Sequence, residues 1–431
     1  MLKRIIIIRQ RNMHLLSWRG VVLIILIGLV VNWYLDTPLP DDMQEKWKVR
    51  FIDAGMRTYG ILQRLLVSIG IIEPFSPLDR WLVDKFVITM TTGRPWVQKE
   101  DKALEISDLF TTGNKIQMRM YEPKTTLLQN RRPVFFYFHG GGFSLMSIES
   151  YDAVTRKLAR DSGVVVISVN YRLSPQHPYP IPLDDCLEAI DYVVTKSQEL
   201  RIDPDRIAVG GDSAGGNLAA SVSLRLKKKI KLQFLLVPVF QMFTYNTTSV
   251  ISNRKYFSKT VNNLFQVVFW TNYIGCGSEY ILDMISNRHT SPELKKSKYA
   301  TYVDEEKWLN RKHIDEELKN KDLTQKTDFG FQETPACLKA KMLDPYICPL
   351  MARRDMLENL PRAYVMTAGY DLIRDDGIMY AERLKDAGIS IDLVNHKSSF
   401  HNALTFVEGP LTLGIAKQTI QDIVNYVQLH L

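Results

Sequence analysis

Two glycine-rich runs hold the residues of this 431-residue chain that could do chemistry. The first is Gly211-Asp212-Ser213-Ala214-Gly215-Gly216, a serine set in the pattern G-x-S-x-G. Where such a segment turns a strand into a helix, the bend is so tight that only glycine leaves room, hence Gly211 and Gly215. The Ser213 hydroxyl is then pushed into the open at a helix N-terminus, where partial positive charge favours a developing anion. The second run is His139-Gly140-Gly141-Gly142, directly after the apolar stretch Val134–Phe138. Acyl transfer builds negative charge on a carbonyl oxygen, and each fixed backbone N–H aimed at it is worth about 3–4 kcal/mol. Gly140 and Gly141 are expected to supply two such donors and Ala214 the third. Alone, the first run is also a simple Gly-Ser turn and the second a flexible or anion-binding loop. Together, in this order and each after a strand-like run, they point to a serine nucleophile facing an oxyanion hole.

A serine hydroxyl needs a base, and the base needs an orienting acid. With the chain order serine, acid, histidine that accompanies such an elbow, the candidates are His289, His313, His396, His401 and His430. His401 follows the apolar run Ile391–Val394 and is expected in a loop that delivers it, with His396 its nearest competitor. His289 and His313 fall in a polar stretch and are expected at the surface, and His430 at the chain end. For the acid, Asp371 comes directly after the run Ala363–Ala368, with a turn or capping residue as its plainer reading. Asp375 and Asp376 have the places of a helix N-cap and first turn.

The elements that must position these residues follow from apolar periodicity. Strands are predicted at Gln117–Tyr121, Val134–Phe138, Val164–Val169, Ile207–Gly210, Leu232–Val237, Ala363–Ala368 and Ile391–Val394. Helices are predicted at Tyr151–Asp161, Leu183–Ser197, Gly215–Lys229, Asp376–Ala387 and Gly414–Leu429. Alternation of this kind argues for an α/β fold, a mostly parallel sheet covered by helices on both faces. Residues 36–105 precede it as a helical cap region, amphipathic over Met43–Leu66. Within the catalytic region 106–431, the rhythm lapses over about 242–335, a polar and aromatic insertion expected to lie over the carboxyl edge of the sheet as a second part of the cap.

The N-terminus carries a different signal. Residues 20–35 read GVVLIILIGLVVNWYL, at the short end of the roughly 17–25 apolar residues that span a bilayer. Leu15, Leu16 and Trp18 would lengthen the run, with Arg19 snorkelling, and Trp33 and Tyr34 suit an interfacial belt. Lys3, Arg4, Arg9, Arg11 and Arg19 precede it, and Asp36, Asp41, Asp42 and Glu45 follow. Positive-inside logic makes residues 1–19 a short basic cytosolic tail, 20–35 an uncleaved signal-anchor, and the chain a single-pass type II membrane protein. The rival reading, a cleaved signal peptide, lacks a small-residue site after the core. The sequon Asn246-Thr247-Thr248 makes Asn246 a glycosylation candidate in a lumenal body.

The formal charge of +8 invites a nucleic-acid reading. Yet Lys227-Lys228-Lys229-Lys231 and Lys295-Lys296-Lys298 are short and lie outside any binding motif, so they are expected as solvated helix ends and no nucleic-acid partner follows. Cys186, Cys276, Cys337 and Cys348 lack metal-ligand spacing, and one or two disulfides among them would suit an oxidising compartment. No metal and no cofactor is implied.

These motifs resemble the arylacetamide deacetylase and neutral cholesterol ester hydrolase family, of the hormone-sensitive-lipase type of α/β hydrolases. The likeness rests on Tyr-Leu-Asp-Thr-Pro-Leu-Pro-Asp (34–41), HGGGF (139–143), NYRLSP (170–175), GDSAGGNLAA (211–220) and YDLIRDDG (370–377). The resemblance implies an α/β-hydrolase fold, the triad Ser213, Asp371 and His401, and an oxyanion hole of Gly140, Gly141 and Ala214. It also implies a protein of the endoplasmic reticulum membrane whose lumenal domain hydrolyses lipophilic esters or arylamides. Two places depart from the family. Asp-Gly-Phe-His-Gly around the base is here Ser398-Ser399-Phe400-His401-Asn402, which motivates an alternative reading as a catalytically impaired, ligand-binding member. The cysteines that follow HGGGW and precede the acid are here Ser144 and Ala368, so that disulfide is absent.

Overall fold

The structure, a computed structural model, describes residues 18–98, 100–256, 263–309 and 333–431. Nearly all of the basic tail expected at 1–19, and His313, lie outside them. The first helix, α1 (Trp18–Leu35), covers the apolar N-terminal run, and its described side chains from Val22 to Val31 are exposed. Even so, among the described residues no helix is long and apolar enough to cross a membrane. At about 1.5 Å per residue, 18 residues reach ~27 Å, against a ~30 Å hydrocarbon core.

Two helices follow, α2 (Lys46–Ser68) and α3 (Pro77–Thr92). The second is punctuated as its sequence demands. Ser76 caps it by accepting the Asp79 N–H, Pro77 starts it, and Gly93 closes it in the left-handed conformation at φ 78°.

The sheet has eight strands in the order β1-β2-β4-β3-β5-β6-β7-β8. They are β1 (Leu104–Phe110), β2 (Gln117–Pro123), β3 (Arg132–Phe138), β4 (Val165–Val169), β5 (Ile202–Asp212), β6 (Leu232–Leu236), β7 (Arg362–Tyr370) and β8 (Ile391–Phe400). The β1–β2 and β2–β4 pairs are antiparallel, and every other pair is parallel. Sequence periodicity does not single out β1, because this edge strand is largely exposed and shows no apolar run. It also ends β8 too early, since Asn395–Phe400 pairs along β7 despite its polar composition.

Five further helices cover the sheet: α4 (Asp152–Ser162), α5 (Ile181–Thr195), α6 (Ala214–Leu226), α8 (Arg374–Asp386) and α9 (Gly414–His430). Side chains alternate along each strand, so neighbours pack on opposite faces. Phe136, Val209, Leu235 and Val365 share one core with Leu183, Leu218 and Met379 of α5, α6 and α8. Phe135, Ala208, Phe234 and Tyr364 share the other with Leu158 of α4 and Ile420 of α9.

The insertion between β6 and β7 contains short helices and no strand among its described residues, the longest being α7 (Asn263–Ile274). A disulfide joins Cys276 to Cys337 across it, while Cys186 and Cys348 are buried thiols. His289 is a correction to the surface position expected of it. It is fully buried with Nε2 2.6 Å from the Met242 carbonyl, and burial pushes its pKa down to about 4. The polar composition around it hid a packed core of small elements.

Candidate active site

The chemistry-bearing residues all lie just beyond the carboxyl ends of parallel strands, the edge where open α/β sheets bind ligands. His139–Gly142 follows β3, Ser213 follows β5, Asp371 follows β7 and His401 follows β8. The elbow is as tight as its glycines suggest. A Cβ at Gly211 would fall 2.1 Å from the Phe138 carbonyl oxygen, and one at Gly215 would fall 1.9 Å from the same atom. Ser213 itself sits at φ 55°, ψ −119°, backbone that a non-glycine residue adopts only when the surroundings over-determine it. Its N–H bonds the Leu236 carbonyl at 2.9 Å, which ties the turn to β6.

The Ser213 hydroxyl lies 2.9 Å from His401 Nε2, and His401 Nδ1 lies 2.8 Å from Asp371 Oδ2. The other Asp371 oxygen accepts the Ile373 N–H at 3.1 Å, so one carboxylate bonds both its own turn and the imidazole. Burial by itself would lower the His401 pKa, but the facing Asp371 carboxylate, and then Asp212, outweigh it and raise it. His396, the competing base, stays within β8 with Nε2 3.6 Å from Asp422 of α9, and burial lowers its pKa.

Asp375 and Asp376 do occupy the first turn of α8, yet neither caps it. Asp375 accepts the Ser249 N–H, and Asp376 accepts from the Phe240 N–H and the Gln241 amide. Burial raises the Asp376 pKa to about 7. Both carboxylates hold the chain that leaves β6. From that same stretch Asn253 donates to the carbonyls of Gly369 and Asp371, at 3.0 and 2.9 Å. Sequence reasoning did not single out this strap on the acid loop, since nothing in a lone asparagine announces it.

The HGGG loop is held from below. His139 donates Nδ1–H to the Gly140 carbonyl at 2.8 Å, stacks on Tyr171 at 4.4 Å, and is driven by burial to a pKa of about 4. It is a neutral clamp on the loop. Among the described residues no backbone carbonyl engages the N–H of Gly140 or Gly141. Gly141 and Gly142 lie at φ 110° and 62°. A Cβ at Gly140 would meet Asp212 Oδ2 and the Tyr151 hydroxyl at 2.6 Å, and one at Gly142 would meet the Phe269 ring of α7 at 2.2 Å. Asp212, fully enclosed, accepts from Tyr137 at 2.8 Å and Tyr151 at 2.6 Å, and burial raises its pKa.

The His401 loop keeps its place without the family's glycines. Ser398 donates to Asp42 at 3.2 Å, and Tyr370 donates to the same carboxylate. Ser144 and Ala368 are buried, and the one disulfide among the described residues lies instead in the insertion. Asn246 is half-buried beside Thr247, which caps the short helix Thr248–Asn253, and Thr248, which bonds Glu305.

Above Ser213 opens a cavity of about 250 Å³, walled mainly by apolar side chains. Met56 and Tyr59 come from α2, Phe86 from α3, and Phe269 and Trp270 from α7. The sequence could not pick them out, because they converge from three helices far apart in the chain.

Comparison with known proteins gives this arrangement a lineage. The alpha/beta hydrolase fold family matches residues 135–295 and 303–405. The chain belongs to that family. Arylacetamide deacetylase of Bos taurus is 31% identical, over 89% of this chain and 93% of its own. Neutral cholesterol ester hydrolase 1 of Mus musculus is 29% identical, over 95% of this chain and 99% of its own. Among solved structures, an ester-hydrolase from the metagenome of Lake Arreo, complexed with a bipyridine phosphonate derivative, superposes with a TM-score of 0.59 at 25% identity, covering 87% of this chain and 98% of that one. A hyperthermophilic esterase from Pyrobaculum calidifontis gives 0.55 at 25% identity, over 86% of this chain and 97% of its own.

Proposed function

We propose that this chain is a serine carboxylic-ester hydrolase that works through an acyl-enzyme. His401 Nε2 takes the Ser213 proton as Oγ attacks the acyl carbon, and Asp371 holds the imidazole and stabilises its charged form. The N–H groups of Gly140, Gly141 and Ala214 receive the negative oxygen. His401 then gives the proton to the departing alcohol, and water, activated by the same ring, releases the acid. The observation that carries the reading is the one imidazole bonded at once to serine, at 2.9 Å, and to carboxylate, at 2.8 Å. Its test is labelling with a fluorophosphonate probe. Wild-type protein should label and Ser213→Ala should not, and equal labelling of the two sinks the proposal.

The apolar cavity wall favours lipophilic esters, and α2, α3 and α7 are read as the cap that supplies it. The membrane half of the reading has the apolar run of residues 20–35, with Leu15 and Leu16 adding to its hydropathy, as a signal-anchor with the body in the lumen of the endoplasmic reticulum. The charge asymmetry about residues 20–35, the Cys276–Cys337 disulfide and the sequon at Asn246 support it. Glycosidase sensitivity of wild type, absent in Asn246→Gln, would test the lumenal assignment. The likeness to the deacetylase also raises arylamides as substrates, since esters and amides pass through the same oxyanion.

A further inference from the structure

The helix α2 is apolar on two opposite faces. Val49, Ile52, Met56 and Tyr59 recur at helical spacing on the face that packs inward, the last two against the cavity. Trp47, Phe51, Leu62, Leu65 and Ile69 recur at the same spacing on the other side and are uncovered, with Leu65 54% and Ile69 59% exposed. On α3, Val83 and Phe86 face inward while Leu78 and Trp81 are exposed. A helix apolar all round is stable when both faces find apolar surroundings. Here the protein supplies them on one face only.

The geometry also says where the outer face points. Thr58 stands on that outer stripe, and its hydroxyl bonds the Tyr34 hydroxyl at the end of α1 at 2.9 Å. Beside it Arg57 stacks over the Tyr34 ring at 4.5 Å, donates to the Tyr34 carbonyl at 2.6 Å and pairs with Asp53 at 2.8 Å. The apolar helix α1 is thus pinned against the middle of the stripe. Ile69 lies eleven residues beyond Thr58, or about 16 Å along the helix axis. Lys46, Lys48, Arg50, Arg57 and Arg64 accompany the stripe, with Asp53 the helix's one acid. Basic stems beside exposed aromatic and aliphatic side chains suit the boundary of headgroups and acyl chains.

We propose that the outer face of α2 and α3 docks in the bilayer leaflet next to α1, so that a lipid-dissolved ester passes between these helices into the cavity over Ser213. The inference rests on the anchor reading of α1 and deepens it: the catalytic body lies on the membrane rather than hanging from it. The uncovered stripe lies on the far side of the two helices whose inner faces wall the cavity, so the path from leaflet to serine is one helix layer thick.

The test uses the full chain in phosphatidylcholine proteoliposomes. Ile69→Cys carries a polarity-sensitive fluorophore, with Leu128→Cys, 93% exposed, as the distant control. Docking predicts blue-shifted emission at 69 that brominated lipid quenches, and water-like emission at 128. A water-like probe at 69 in protein that stays membrane-bound overturns the docking and leaves the anchor standing. Protein released by alkaline carbonate sinks the anchor and the docking with it. Emission at 69 that ignores brominated lipid but self-quenches as protein density rises assigns the face to a second copy of the chain instead. As the kinetic arm, Leu62→Ser/Leu65→Ser/Trp81→Ser should slow hydrolysis of a long-chain ester dissolved in the bilayer on the order of tenfold. Turnover of a short, water-soluble ester should stay within about twofold, since none of the three lines the cavity. Equal loss on both substrates counts against the proposal.

Discussion

The floor and the roof of the cavity are built on different principles. The floor is the carboxyl edge of the sheet, where Ser213, Asp371 and His401 are each placed one residue past a strand. The roof is α2, α3 and α7, which meet the floor mostly through side chains, at points such as Phe269 over Gly142 and Arg80 on the Ser144 carbonyl. A strand end fixes an atom to a fraction of an ångström because the ladder behind it cannot slide. A helix held by apolar contact has many nearly equivalent packings. Chemistry is therefore assigned to the floor, and choice of substrate to the roof.

The sharpest break in that contrast is removal of the serine or its base. Ser213→Ala and His401→Ala should each lower kcat by about 10⁴–10⁶, with little change in KM, since a triad acts as a unit. A loss below about a hundredfold, measured on a short soluble ester, would assign the chemistry elsewhere.

Asp371→Asn comes next, at about 10⁴ in kcat. It also sharpens the electrostatics. Wild-type His401 must be neutral to take the proton, and its pKa is raised, so the acidic limb of kcat/KM should centre above the ordinary histidine value of 6.5. Without the carboxylate, burial acting downward is opposed only by Asp212, and the residual activity should show its limb at lower pH. The linkage to folding has a definite sign. A raised native pKa favours the folded state fully below about pH 6.5, and that share is lost as pH climbs through the native value. An unmoved limb in Asp371→Asn would show that another group sets it.

Gly142→Ala probes one of the places where floor and roof touch. The new methyl would collide with the Phe269 ring on backbone at φ 62°, and a loss of about 10–100-fold in kcat/KM is expected. Phe269→Ala in the same chain should restore part of it, because the ring is removed while the backbone strain remains. No restoration would locate the whole effect in the loop.

The smallest effect belongs to the roof alone. Phe269→Ala by itself should change kcat on a short ester less than about threefold, while the ratio of long-chain to short-chain kcat/KM shifts by about 3–10-fold. A uniform fall across chain lengths would mean that the roof also holds the floor in shape.

Legibility followed the same division. The elbow and the HGGG loop could be read because their glycines answer to backbone geometry within a few residues, and Gly211 and Gly215 do sit where no Cβ fits. The parallel strands could be read because a strand buried on both faces must be an unbroken apolar run, as Val165–Val169 is. The exposed edge strand β1 and the polar end of β8 could not, since pairing partners rather than composition make them strands. Residue pattern alone left His396 as a competitor to His401, the resemblance implied His401, and the register of β8 against β7 keeps His396 within the strand.

What the sequence determined by itself, then, was the candidate nucleophile Ser213, the HGGG loop beside it, the class of fold and the apolar N-terminal run, all consequences of local sterics and periodicity. The burial of His289, the Asn253 strap and the members of the roof were decided only by tertiary structure. Each depends on contacts between residues tens to hundreds of positions apart, and no local pattern in a chain encodes which distant partner will arrive. The outer stripe of α2 belongs to both: its spacing is in the sequence, and only the folded body shows that the protein leaves it bare.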